Sequence, residues 1–266
     1  MTMRRSSELA RRVIARGAAR ISLAWLATLI VLAILAPVLP VDPLAQDLLA
    51  ELEGPSAAHW FGTDELGRDI LARVIHGART SLMTAAGAVA IAGAVGVPIG
   101  LVAGFFGGWR DAVLMRLVDV LLALPGILLA MAIIAVVGRS QAAALLAVGI
   151  TGIPSFARIT RAQVLSLRKR DFVLAVEALG GTAAYTMFRT VLPNAWSPIL
   201  VLVVVLSSVA ILLEAALAFL GIGIPPPTPS WGEMLRTGKT FLYEAPTYAV
   251  LPGLVLTLTI LSLDML

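Results

Sequence analysis

ILVLVVVLSSVAILLEAALAFL, residues 199–220, is the stretch that decides the class of this protein. Glu214 is its only ionisable side chain, and Ser207 and Ser208 are its only other polar ones. Coiled as a helix it rises roughly 33 Å at about 1.5 Å per residue, enough to cross a hydrocarbon core about 30 Å thick. Comparable runs cover residues 21–39, 82–106, 113–137 and 248–263. The whole 266-residue chain is 59% hydrophobic and only 14% charged, whereas soluble domains carry about 25% charged residues. An all-α polytopic membrane protein is the expected class.

Charge orients the spans. Arg4, Arg5, Arg11, Arg12, Arg16 and Arg20 precede the first apolar run with only Glu8 opposing them, so the positive-inside rule puts the tail of residues 1–20 in the cytoplasm. The apolar run that follows is too long for a signal peptide and is closed by no A-x-A-like site, so it is expected to remain as a span. Residues 41–60 hold Asp42, Asp47, Glu51 and Glu53 and no Lys or Arg, as an external loop should. Spans are then expected at about 21–40, 80–106, 112–137, 142–156, 197–220 and 248–263, six in all. A second cationic cluster, Arg158, Arg161, Arg168, Lys169, Arg170 and Arg189, gives the same orientation. Both termini are expected inside, with an external loop at 41–79, a spanning core over 80–266 and a further external loop at 221–246.

The cytoplasmic segment 158–193 is longer than the 2–8 residues that ordinarily join bundle helices. Within it, DFVLAVEALGGTAAYTMFRTVLPN (171–194) reads as a short helix, a break at Gly180 and Gly181, a second short helix and a stop at Leu192-Pro193. It is either a solvated hairpin or a working surface. Residues 61–81 read as an amphipathic helix at the external interface. Leu66, Ile70, Leu71, Val74 and Ile75 form one face, Arg68, Asp69, Arg73 and His76 the other, and Thr63 or Asp64 serves as cap.

Catalytic constellations are nearly absent. His59 and His76 fit no zinc spacing, there is no cysteine, and no metal site is expected. GEMLRTGKT (232–240) imitates a phosphate-binding loop but has five residues where four are needed before Gly-Lys. The net charge of +4 gathers at membrane ends, so nucleic acid is not an expected partner. Carboxylates within spans cost several kcal/mol unless they face protein or water. Asp119 follows Arg116 at i+3, which suits an ion pair as well as a transport role. Glu214 has no such neighbour and, with Ser207 and Ser208, is the better pathway candidate. Pro125 and the glycines at 93, 96, 100 and 104 suit kinks and close helix packing.

Several segments resemble one family, the membrane subunits of binding-protein-dependent ABC importers for dipeptides and oligopeptides, specifically the DppC/OppC type. HWFGTDELGRDILARVIHGARTSL resembles its pre-span segment. GFFGGWRDAVLMRLVDVLLALPGILLA resembles its second and third spans, and FLGIGIPPPTPSWGEML its last external loop. The 171–194 stretch is similar to the family's cytoplasmic EAA loop, whose pattern is E-A-A, three residues, G, and later L-P. Counted back from Gly180, the E-A-A positions are Leu174, Ala175 and Val176, with the nearest acid displaced to Glu177. A charged tail that the resemblance implies after the last span has no counterpart before Leu266.

The resemblance implies a type I ABC importer permease fold in a bacterial cytoplasmic membrane. It implies a second permease subunit, two ATPase subunits that carry ATP and Mg, an external substrate-binding protein, and alternating access as the mechanism. Phe172, Leu174, Ala175, Val176, Glu177, Leu179, Gly180 and Gly181 would then form a coupling helix docked on an ATPase. Pro225, Pro226, Pro227 and Trp231 would meet the binding protein. The chain itself would bind no cofactor and catalyse nothing. An ion-coupled secondary transporter, a scaffold without transport, and an importer of nickel or another non-peptide solute are the competing readings.

Overall fold

The structure is a computed structural model describing residues 17–266, so Arg4, Arg5, Arg11, Arg12, Arg16 and the opposing Glu8 lie outside the described residues. Nine helices carry the fold among those residues: α1 (Gly17–Leu35), α2 (Ile70–Phe106), α3 (Gly108–Leu122), α4 (Gly126–Val137), α5 (Gln141–Leu167), α6 (Asp171–Ala178), α7 (Ala183–Phe219), α8 (Trp231–Gly238) and α9 (Pro246–Asp264). One isolated bridge, Thr63 to Asp69, is the only β-type pairing there. Five helices, α1, α2, α5, α7 and α9, are long and apolar enough to cross a membrane, and α3 with α4 would make a sixth if that bent pair is one span.

Four expected elements differ from what forms. The third span is broken: α3 stops at Leu122 and α4 resumes at Gly126, bent by 86°. Pro125 has no N–H to donate and drives Leu124 out of helical geometry, so a break replaces the expected kink. The fourth span does not end at 156. α5 continues to Leu167 and takes Arg158 and Arg161 with it. Both are held by acids on α3: Arg158 Nη2 lies 2.8 Å from Asp119, and Arg161 donates to both oxygens of Asp111 at 2.5 Å each. The partner of Asp119 is therefore Arg158, across two helices, and not Arg116.

Leu192-Pro193 does not stop the chain either. A π-turn over Thr186–Val191 precedes the proline, with Leu192 N–H donating to Met187 O. The widened turn makes room for a ring that would otherwise collide with the carbonyl four residues back. The second short helix and the fifth span are thus one helix, α7. Finally, residues 61–69 are turns and not helix. Asp69 caps α2 by accepting from Ala72 N at 2.8 Å, in place of Thr63 or Asp64. The helix then runs through Gly77 without interruption.

The described residues divide into two compact units. The first holds residues 17–85, 138–144 and 208–266. Here α9 packs against α1 and α8, and Trp25 Nε1 donates to Thr259 Oγ1 at 3.3 Å. The end of α7 receives α8 at Gly232, where a β-carbon would stand 2.6 Å from Ala215 Cα. The second unit holds residues 86–137 and 145–207. In it α2 crosses α5 on a ridge of glycines. A β-carbon at Gly96 would meet Ile153 O at 2.6 Å and one at Gly104 would meet Arg161 O at 2.9 Å, while Gly100 between them faces Ala157 O. The four-residue repeat keeps the three on one helical face, and lipid-embedded helices gain from such close backbone approach because dispersion is their main attraction.

Candidate functional site

Three places in the structure carry the residues singled out in the sequence. The first is α6 and the turn after it. Asp171 sits in the first turn, where its charge favours the helix dipole. The helix ends in a paired closure: Gly180 N–H donates to Glu177 O at 3.0 Å and Gly181 N–H to Val176 O at 2.9 Å. That closure needs a left-handed residue, which Gly180 supplies at φ +86°. Gly181 is required by space, since a β-carbon there would sit 2.7 Å from Val176 Cγ1. Thr182 then caps α7 by accepting from Tyr185 N–H at 3.2 Å.

One side of this unit is anchored and the other is bare. Val173 is fully buried in a cluster with Leu101, Phe105, Val164, Met187 and Val191, which ties α6 to α2, α5 and α7. Phe172, Leu174 and Leu179 project outward, Leu174 half exposed and Leu179 89% exposed. Ala175 and Glu177 are exposed as well, and Val176 is half-buried. An apolar tip on a rigid base can transmit a push, because the packed cluster beneath it does not deform smoothly. Neither charge nor a glutamate at position 174 is needed for that.

The second place is a cavity of about 520 Å³ between α2, α5 and α7. Val89, Gly93, Val97, Phe156, Trp196 and Val203 line it, and Ser207 is its one hydroxyl. That hydroxyl donates to Val203 O at 2.8 Å. The cavity excludes the other two expected pathway residues. Glu214 is 1% exposed and accepts from Ser81 Oγ at 3.1 Å, so it fastens α7 to the start of α2 and faces no open space. Ser208 is also buried, with no partner for its hydroxyl. Of the three, Ser207 alone lines the cavity.

The third place is the segment from Gly221 to Ala245. Pro226 and Pro227 are exposed and Pro225 is half-buried. Trp231 is not a surface residue: it is wholly enclosed, and its indole N–H donates to Val74 O at 3.1 Å. It seats α8 on α2 and offers no surface to a second protein, contrary to expectation. The supposed phosphate loop falls on α8, capped by Ser230 accepting from Glu233 N–H at 3.3 Å, so its N–H groups are already committed to a helix.

Beside α8 lies a cluster that joins Arg68 and Arg73, expected on the polar face of an interfacial helix, to Asp64, expected as a cap. Asp64, Arg68 and Arg73 are buried. Asp64 Oδ2 is 2.7 Å from Arg68 Nε and 3.2 Å from Arg73 Nε, and Arg73 Nη2 lies 3.7 Å from Glu233. Arg68 also reaches Glu65 at 2.9 Å. A polar helical face need not be wet, because opposite charges can satisfy one another in the interior. The one available signal was the mix of charges, three acids and two arginines within residues 64–73, which can neutralise itself out of water.

A family model described as "Binding-protein-dependent transport system inner membrane component" matches residues 96–266. The chain belongs to this family. Its similar relatives include the dipeptide transport system permease protein DppC of Alkalihalophilus pseudofirmus, 41% identical over 249 residues that cover 92% of this chain and 81% of the relative. The di/tripeptide transport system permease protein DppC of Pseudomonas aeruginosa is 42% identical over 241 residues, 88% of this chain and 80% of the relative. The glutathione transport system permease protein GsiD of Pectobacterium atrosepticum is 40% identical over 214 residues, 80% and 71% respectively. Permeases of this family are non-catalytic, multi-pass components of the bacterial inner membrane. A secondary transporter is thereby set aside.

Proposed function

We propose that this permease is one of two homologous membrane subunits of an ATP-driven importer for short peptides. In this reading two ATPase subunits hold ATP and Mg, α6 and both termini face the cytoplasm, and an external binding protein delivers solute to the side that carries Pro226 and Pro227. The observation that carries the reading is the build of α6, with exposed Leu174 and Leu179 over the buried Val173 cluster. Closure of the ATPases on ATP pushes on that tip. Val173 passes the displacement to α2, α5 and α7, the helices that wall the apolar cavity. The transition needs only that α6 makes different contacts in two states.

The substrate class rests on the printed names of the relatives, which concern dipeptides, di/tripeptides and glutathione. The cavity offers no charged group and one internally bonded hydroxyl. Such a wall selects poorly among peptides, so discrimination is assigned to the binding protein. The test is uptake into liposomes by this chain reconstituted with its co-encoded partners. Uptake of a labelled dipeptide that needs ATP and the binding protein is the expected result. Uptake unaffected by removing ATP would sink the reading, and uptake of nickel but no peptide would replace its substrate.

A further inference from the structure

A second cavity, about 310 Å³ in volume, opens where the end of α2 meets α6 and the start of α7. Its size is at the lower end of the roughly 300–1,000 Å³ found for small-molecule sites. Phe105, Phe106, Arg168, Glu177 and Thr186 line it. Arg168 stacks its guanidinium over the Phe105 ring at 5.2 Å. Neither Arg168 nor Glu177 is ion-paired or hydrogen-bonded through its side chain among the described residues, to each other or to anything else. Thr186 is wholly buried, yet its hydroxyl has no partner. A buried hydroxyl left unmatched is costly, so Thr186 is fitted to donate to a ligand in this cleft.

The surroundings place this cleft at a membrane surface. Phe106 and Trp109 are exposed at the turn between two apolar helices, and Arg110 lies 4.5 Å and 5.8 Å from their ring centres. Tryptophan beside arginine at the ends of spans is the pattern of the headgroup layer. What lies at that level and carries opposite charges a few bonds apart is a zwitterionic lipid headgroup. An anionic headgroup would satisfy Arg168 and leave Glu177 facing like charge.

We propose that this cleft binds the phosphoethanolamine headgroup of a membrane phospholipid. Its phosphate lies on Arg168 and the Thr186 hydroxyl, and its ammonium lies on Glu177. Bound so, one lipid braces α6 against α2 and α7. The assignment does not depend on which solute the permease carries.

The test is native mass spectrometry on the chain with its partner subunits, stripped of lipid and titrated with phosphatidylethanolamine or phosphatidylglycerol. One phosphatidylethanolamine is expected to bind with at least about a tenfold preference. Glu177→Gln, an exposed change that disturbs no packed contact, is expected to abolish or reverse that preference. Thr186→Val is expected to weaken the lipid by about fivefold, and Thr186→Ser to restore it. Equal binding of the two lipids by the unaltered protein overturns the proposal, as does a preference that survives Glu177→Gln. Free phosphoethanolamine competing as strongly as the lipid would reassign the cleft to a soluble solute.

Discussion

At the scale of single residues, burial separates side chains that hold the fold from those that meet a partner. Leu179, 89% exposed, touches little of its own chain. Leu179→Arg is therefore expected to change stability by no more than about 0.5 kcal/mol while abolishing co-purification of the ATPase. Thermal unfolding and pull-down on one preparation measure both, and retained ATPase would remove α6 from the coupling role. Asp64 is the opposite case, fully buried against two arginines. Asp64→Asn leaves Arg68 and Arg73 without that counter-charge, and breaking a buried pair costs about 3–5 kcal/mol. A large drop in unfolding temperature is expected, with the loss of folded protein outweighing any specific loss of transport.

At the scale of elements, the glycine ridge of α2 is the contact with least tolerance. Gly100→Leu inserts a side chain against the Ala157 carbonyl. Overpacking of this kind costs about 1–3 kcal/mol, and the change is expected to lower the yield of folded permease, measured by gel filtration in detergent. Much of this level was legible in the sequence. The spans follow from composition, the glycine spacing at 96, 100 and 104 announces a helix crossing, and Gly180 announces a helix end. What was not legible depends on partners distant in the chain. Asp119 pairs with Arg158 through folding, not through spacing. Arg68 and Arg73 can be buried only because Asp64 and Glu233 arrive beside them. Pro193 and Pro125 look alike as helix breakers, yet one is absorbed by a π-turn and the other breaks a span by 86°. Local sequence says that proline disrupts, and tertiary packing decides by how much.

At the scale of the whole molecule, the proposed function makes the cavity the link between α6 and the solute. Ser207→Asp would put a carboxylate on that apolar wall, where insertion scales set the cost at about 2.5–3.5 kcal/mol. Peptide uptake is expected to fall at least tenfold while the ATPases still co-purify, which liposome transport and pull-down would separate. Undiminished uptake would show that solute passes elsewhere. The π-turn at Thr186–Val191 bears on the same wall by way of phase. One extra residue in a turn advances everything downstream by about 100°. Trp196, Ile199, Val203 and Ser207, the stripe that α7 gives to the cavity, point there because that extra residue is present. Deleting Thr190 would make α7 more regular and rotate the stripe away from the opening: a helix closer to ideal, and a permease whose wall faces the wrong way.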